Sequence, residues 1–282
     1  MLAIRVLDVS YKKYKAAKEV RGTFHASKHF TCYLITLHSK MKKFLIVFDF
    51  DETIIQHNSD YVILKCNPDQ NLPEELLQPP EDGRWTEHTS KILRYLCGKG
   101  VKEESMRKIL AETPLTKEML TLFQFLRESS DLFECIIISD ANTFFINSIL
   151  QANGISNVFQ KIYTNPACRD STNTFVINPY HSHLCQECPN NMCKRQILHD
   201  HLEERSEEVE FEKIFYVGDG NNDFCPSIVL TATDVVFPRK NYPLHRLISE
   251  IKMAEPSAFQ AQVVPWESAE DILLFLQDCA GQ

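Results

Sequence analysis

Three apolar runs in this chain each empty into a polar loop that carries carboxylates. Phe44-Leu45-Ile46-Val47 leads into Phe48-Asp49-Phe50-Asp51-Glu52-Thr53, and Cys135-Ile136-Ile137-Ile138 leads into Ser139-Asp140. Ile214-Phe215-Tyr216-Val217 leads into Gly218-Asp219-Gly220, with Asp223 three residues on. Unbroken apolarity over so few residues, without polar alternation, is the pattern of strands buried on both faces of a parallel sheet. Helical spacing predicts helices over 86–96, 103–111 and 115–127, the last behind Pro114, and again over 142–152, 192–204, 242–253 and 266–279. Segments 161–164 and 174–177 read as short strands that could pair as a hairpin, and 234–237 as a strand stopped by Pro238. Strands alternating with helices predict an α/β fold with a Rossmann-like parallel sheet flanked by helices. If the three runs are parallel neighbours, right-handed crossovers bring their carboxylate-bearing ends to one rim.

The organisation follows from where this pattern changes. Residues 1–40 are expected to be a disordered N-terminal extension, and 41–57 hold the first strand and its loop. Residues 58–133 form a small, mainly helical cap inserted after the first strand, and 134–282 complete the core. The apolar stretch over 29–37 is too short to span a bilayer. It leaves through a basic segment with no cleavage pattern, so neither a signal peptide nor a transmembrane segment is expected.

Charge sharpens the division. The extension is basic, with eight Lys/Arg against Asp8 and Glu19 for a net +6, within a chain of net −8. The body is therefore strongly acidic, which argues against a nucleic-acid partner. It suits a divalent cation or a positively charged substrate. Ten cysteines without a signal sequence point to free thiols in a reducing, cytoplasmic compartment.

Asp49 and Asp51 stand two residues apart at the end of the first run, where open α/β sheets place their ligands. Strand alternation points i and i+2 the same way, so both can address one reacting centre. The competing reading is a turn whose aspartates cap the next helix. Phosphoryl transfer needs a nucleophile, charge neutralisation and a proton for the leaving oxygen. Asp49 suits the nucleophile, and Asp51 the acid and base that protonates the leaving alkoxide and later activates water. Asp49 and Asp219 are the candidate ligands for Mg²⁺, a cation that prefers hard oxygens, with Asp223 as ligand or as support. Ser139 offers a hydroxyl, and Lys194 a cation, to the phosphate.

Asp49-Phe50-Asp51-Glu52-Thr53, Ile138-Ser139-Asp140, Lys194 and Gly218-Asp219-Gly220-Asn221-Asn222-Asp223 resemble, in order and spacing, the four motifs of the haloacid dehalogenase superfamily of phosphatases. Asn58-Ser59-Asp60, Cys188-Pro189-Asn190-Asn191-Met192-Cys193-Lys194, Phe237-Pro238-Arg239 and Val263-Val264-Pro265-Trp266-Glu267 resemble the branch acting on phosphorylated amino-alcohols. The resemblance covers about residues 43 to 275. It implies that Asp49 is the nucleophile, Asp51 the acid/base, and Asp49, the Asp51 backbone carbonyl and Asp219 the Mg²⁺ ligands. It further implies that Asp60 and Asp140 contact a small phosphomonoester with a cationic head, phosphoethanolamine or phosphocholine. The family role it implies is release of inorganic phosphate for mineral formation in bone and cartilage, inside vesicles budded from cells.

Gln56 and Tyr61 stand where that family commonly has acidic residues. Pyridoxal phosphate or phosphoserine is the rival substrate on the same machinery, and Tyr61 or Trp85 could add a cation–π contact. The rival of another class, a non-catalytic binding protein on this fold, has against it that every charged position is present. One cluster falls outside these motifs: His181, His183, Cys185, Cys188 and Cys193 have ligand types and spacing compatible with structural Zn²⁺.

Overall fold

The computed structural model describes residues 40–69, 72–78, 80 and 83–281; the N-terminal extension, apart from Lys40, lies outside the described residues. The strands are β1 (Met41–Phe48), β2 (Phe133–Asn142), β3 (Lys161–Asn165), β4 (Ala167–Arg169), β5 (Phe175–Ile177), β6 (Val209–Gly218), β7 (Val235–Pro238) and β8 (Gln262–Val263). Six form one sheet in the order β3-β2-β1-β6-β7-β8. Every pairing in it is parallel. The chain moves outward through β2 and β3, then returns to the other side of β1 with β6. That reversal makes the gap between the β1 and β6 ends the topological switch point, where such sheets bind ligands.

The three apolar runs are the three central strands, and strand alternation sends their side chains into two separate cores. Ile46, Phe48, Ile137, Phe215 and Val217 face one side, joined there by Leu122, Phe123 and Leu276. Leu45, Val47, Ile136, Ile138 and Tyr216 face the other, with Ile197, Leu198, Leu244 and Ile248. Leu45 to Phe48 are wholly buried. At about 1.5–3 kcal/mol for each large apolar side chain buried, this register strongly resists slipping.

The observed helices Trp85–Gly98, Glu103–Ala111, Met119–Glu128, Thr143–Ala152, Lys194–Arg205, Pro243–Ala254 and Ala269–Ala280 follow the predicted ones closely. The Trp85–Gly98 helix packs on the β4–β5 hairpin, and Glu103–Ala111 packs on Thr143–Ala152. Met119–Glu128 lies instead against the C-terminal helix. Its buried face meets the sheet there, with the Phe123 ring edge-on to Phe48 at 5.5 Å between centroids. Segments 161–164 and 174–177 do not pair with each other. β3 joins the large sheet beside β2, whereas β5 pairs antiparallel with β4. The run of β3 is buried toward its end and takes a central-strand neighbour; β5 is only three residues long and finds a local one.

Candidate active site

Asp49 is the first residue beyond β1, and its N–H still donates to the Val217 carbonyl of β6 at 2.9 Å. This last ladder bond fixes the backbone from which the carboxylate projects. Lys194 opens the Lys194–Arg205 helix and is 1 % exposed. Its Nζ donates to Asp49 Oδ1 and to Asp223 Oδ1, both at 2.7 Å. Burial opposes its charge, but Asp223, Asp49 and Asp140 together outweigh that and hold Lys194 above the ordinary lysine range.

Asp223 is wholly buried and receives four donors. Lys194 Nζ and the Tyr216 hydroxyl (2.9 Å) reach Oδ1, while the Asp219 and Gly220 N–H groups reach Oδ2 at 3.1 and 3.0 Å. A carboxylate offers about four lone-pair sites, so this one is saturated. Asp219 stands between them at the β6 end and accepts from the Thr53 hydroxyl at 3.3 Å. Oxygens of Asp49, Asp219 and Asp223 all lie within 4.8 Å of one another. Burial raises Asp49 to about 7 against the pull of Lys194. Burial, then the charges of Asp49 and Asp223, raises Asp219 to about 9. Three buried carboxylates against one ammonium is a set short of positive charge, and its hard oxygen donors fit a divalent cation such as Mg²⁺.

Asp51 sits apart from that trio. Its Oδ1 accepts from the Ser59 N–H at 2.9 Å and its Oδ2 from the Ser59 hydroxyl at 3.0 Å. Burial raises it well above the usual carboxylate range, and the charge of Asp60 adds to this, against the Ser59 bonds. The competing cap reading is half right in geometry: Asp51 does meet the first residue of the Ser59–Val62 turn, whose N-cap is Asn58. Between Asp51 and Thr53, Glu52 adopts a left-handed φ of 54°, an unusual conformation for a residue with a Cβ. Arg239 braces it by donating to the Glu52 carbonyl, and it donates to Gln56 Oε1 at 3.0 Å. Gln56 thus holds an arginine that an acidic residue could hold by charge.

The strand pairing of Phe48 with Ile137 sets Ser139 on the neighbouring strand just beyond the level of Asp49. Ser139 is buried, and its Oγ accepts from the Ala141 N–H at 3.2 Å. Asp140 Oδ2 accepts from Asn222 at 3.0 Å, and its carbonyl accepts from Asn165. Asp60 Oδ1 accepts from the Thr89 hydroxyl at 2.9 Å. Burial raises Asp60 to about 7, the Thr89 bond opposes this, and the charge of Asp140 adds to it. Asp60 is therefore close enough to Asp140 and Asp51 for their charges to act on one another. Tyr61 and Trp85 meet edge to face at 6.5 Å beside it, with Tyr61 exposed.

The family described as Putative Phosphatase matches residues 44–280, which takes in the sheet from Phe44 onward and all of these side chains. The chain belongs to this phosphatase family. A Gallus gallus protein named phosphoethanolamine/phosphocholine phosphatase is 48 % identical over 85 % of this chain and 90 % of its own. A Rattus norvegicus protein named pyridoxal phosphate phosphatase PHOSPHO2 is 41 % identical over 83 % of this chain and 98 % of its own. In structure, a haloacid dehalogenase (had) family hydrolase from Salmonella enterica superposes with a TM-score of 0.56 at 18 % identity, covering 84 % of this chain and 71 % of that one. The last shares the fold.

Two residues of this phosphatase site were given no role of their own by the sequence. Tyr216 reads as one more apolar strand position, yet its hydroxyl is spent on Asp223. Thr53 reads as a loop residue, yet it reaches Asp219. The expected zinc set needs correction. Four thiols, Cys185, Cys188, Cys193 and Cys225, gather with their sulfurs within 4.8 Å of one another; His181 and His183 are not among them. His181 Nε2 accepts the Cys193 N–H at 2.9 Å, and His183 Nδ1 accepts the Cys185 N–H at 3.2 Å. Both nitrogens of His183 and Nε2 of His181 are spent on the backbone. Cys225 was missed because it lies far along the chain and comes close only through the fold.

Among the described residues, no helix is long and apolar enough to cross a membrane.

Proposed function

We propose that the chain is a Mg²⁺-dependent phosphomonoesterase acting on phosphoethanolamine and phosphocholine through an aspartyl-phosphate on Asp49. The observation that carries this reading is the buried triad in which Lys194 bridges Asp49 and Asp223 beside Asp219. A structural ion pair needs no third carboxylate and no separately held fourth one; an in-line phosphoryl transfer uses all of them.

Asp49 attacks phosphorus with a carboxylate oxygen while the bond from phosphorus to the substrate oxygen breaks. Asp51, whose protonated form burial favours, gives its proton to the departing alkoxide. Asp51, now a carboxylate, takes a proton from the water that attacks the aspartyl-phosphate, and Asp49 is released with inorganic phosphate. Lys194 and Ser139 supply positive charge and a hydroxyl to the phosphoryl oxygens. Asp49, Asp219 and the Asp51 backbone carbonyl would hold the Mg²⁺, which when bound neutralises the repulsion between carboxylate and phosphate. Asp223, with its lone pairs already taken, positions Lys194 and the 219–220 turn.

Choice of substrate falls to Asp60 and Asp140, anionic groups suited to a cationic head held next to the phosphate. The 48 % identical relative named for phosphoethanolamine and phosphocholine supports this over the 41 % identical one named for pyridoxal phosphate. Free thiols at all nine described cysteines suit a reducing interior, cytosol or vesicle lumen. Turnover of a panel of phosphoethanolamine, phosphocholine, pyridoxal phosphate and phosphoserine, with and without Mg²⁺, tests the reading. Preference for the amino-alcohol esters is expected. A preference for pyridoxal phosphate would transfer the substrate assignment, and undiminished turnover by Asp49→Asn would overturn the mechanism.

A further inference from the structure

The thiol cluster lies outside the phosphoryl-transfer machinery but touches both loops that build it. Cys193 immediately precedes Lys194, and Cys225 follows Asp223 by two residues. We propose that Cys185, Cys188, Cys193 and Cys225 form a tetrahedral four-thiolate zinc site that ties the Lys194 loop to the Asp223 loop.

Three features of the geometry support this. Four sulfurs around one zinc at about 2.3 Å stand roughly 3.8 Å from one another. All four here lie within 4.8 Å of each other, and Cys185 and Cys225 are 3.6 Å apart. That separation is far beyond a sulfur–sulfur bond of about 2.05 Å. Second, Cys185 and Cys188 have the two-residue spacing of a zinc knuckle, with Cys188, Cys193 and Cys225 buried. Four thiols packed only for apolar burial would have no need to converge on a point. Third, the surroundings suit a doubly negative zinc–thiolate group. Arg195 approaches Cys185 Sγ at 3.7 Å. His183 Nε2, 2.9 Å from the Pro189 carbonyl, donates there, which leaves Nδ1 to accept the Cys185 N–H. Each histidine fixes the backbone of a ligand without reaching the ion, which is how outer partners orient metal ligands.

Zinc replaces the thiol protons, which leave to solvent. The clamp then holds Lys194 and Asp223 in register for their 2.7 Å contact, independently of which phosphomonoester the site accepts.

The test is metal analysis of the full-length chain, purified without a metal-affinity step and with Mg²⁺ present. About one zinc per chain is expected. Exchange with Co²⁺ should give thiolate-to-cobalt charge-transfer absorption and the visible bands of a tetrahedral centre. Cys225→Ser should drop zinc to roughly a tenth of that content or less, while His181→Ala and His183→Ala retain it. Where Cys225→Ser does not fold, the cobalt spectrum of the unmodified chain decides. Folded protein lacking zinc, or mass mapping that finds any of the four cysteines in a disulfide, overturns the site. Loss of zinc from His183→Ala but not from Cys225→Ser overturns the ligand set. None of these readouts depends on phosphatase turnover.

Discussion

Lys194 Nζ stands 2.7 Å from Asp49 Oδ1 across 145 residues of chain, with both groups almost wholly buried. The ammonium offsets two carboxylates that have little water, so removing it leaves both uncompensated. Lys194→Met should cost about 3–5 kcal/mol of stability near neutral pH. The cost should be smaller at pH ~5, where Asp49, raised by burial to about 7, has taken up a proton. Turnover should fall on the order of 100-fold or more. Thermal melts at the two pH values check the first expectation, and steady-state kinetics the second. Lys194→Arg should not rescue either, because the larger planar head does not fit a site that is 1 % exposed.

Asp51 is held by both groups of Ser59, and burial favours its protonated form; the proposed mechanism uses it first as acid and then as base. Asp51→Asn should reduce kcat by about 100- to 10,000-fold on phosphoethanolamine. On an ester with a good leaving group, which needs no proton, the first step should recover while hydrolysis of the aspartyl-phosphate stays slow. Rapid quenching should then show phosphate accumulating on Asp49. Absence of such accumulation, with turnover intact, would remove Asp51 from the reaction.

What was legible beforehand, and what was not, divides on physical lines. Phe44 to Val47 and Ile136 to Ile138 announce themselves because a strand buried on both faces has no polar position to spare. Once those strands are parallel neighbours, Asp49, Ser139 and Asp219 must share a rim. The fate of an isolated polar atom carries no such local mark. Tyr216 looks like core until Asp223 comes to its hydroxyl. Nothing in the sequence marks Asp223 as the acceptor of four donors. Cys225 joins Cys185 only through the crossover that places the Gly218 loop beside the Lys194 helix. β8, two residues long, is below any periodicity.

Metal binding and pH should be coupled through Asp49 and Asp219. Both are raised by burial, to about 7 and about 9. A carboxylate with its folded value above its unfolded one contributes stability that is present below about pH 4 and lost as pH rises through the folded value. The metal-free chain should therefore lose stability progressively between about pH 4 and pH 9. Mg²⁺, which favours the ionised forms, should reverse the trend. Its stabilising shift in melting temperature should be larger at pH 8.5 than at pH 6. An equal shift at both would mean that these carboxylates do not bind the ion.

Asp60 offers a test of head-group recognition apart from chemistry. Burial raises it to about 7, so a cationic head should bind better as pH passes through that range and the carboxylate forms. Asp60→Asn should raise KM for phosphoethanolamine by roughly 10- to 100-fold, the worth of one hydrogen bond to a charged group. Little change is expected for β-glycerophosphate, which has no cation. Without ligand, the variant should be more stable than the parent above pH ~7 and equal to it near pH 4, because the raised carboxyl costs stability only once ionised. Equal kinetic losses on both esters would argue that Asp60 shapes the pocket instead of reading charge.

Gly218 has no room for a side chain, for reasons of contact alone. A Cβ there would stand 2.5 Å from Asp223 Cγ and Oδ2, with no left-handed φ involved. Asp223 cannot swing aside, since Lys194, Tyr216 and two backbone N–H groups hold both its oxygens. Gly218→Ala must therefore break that network or shift β6, at about 1–3 kcal/mol. Its turnover should fall with that of Lys194→Met, and combining the two should add much less than the sum of their effects. Gly220→Ala is the control. Its Cβ would also meet an atom at 2.5 Å, but that atom is Asn222 Oδ1, the far end of a side chain at the surface of the loop. Asn222 can yield, at the expense of its bond to Asp140. The control should keep most of its turnover, with any loss confined to KM for the cationic ester. Comparable damage from both alanines would mean that Asp223 is not the rigid post on which Lys194 depends.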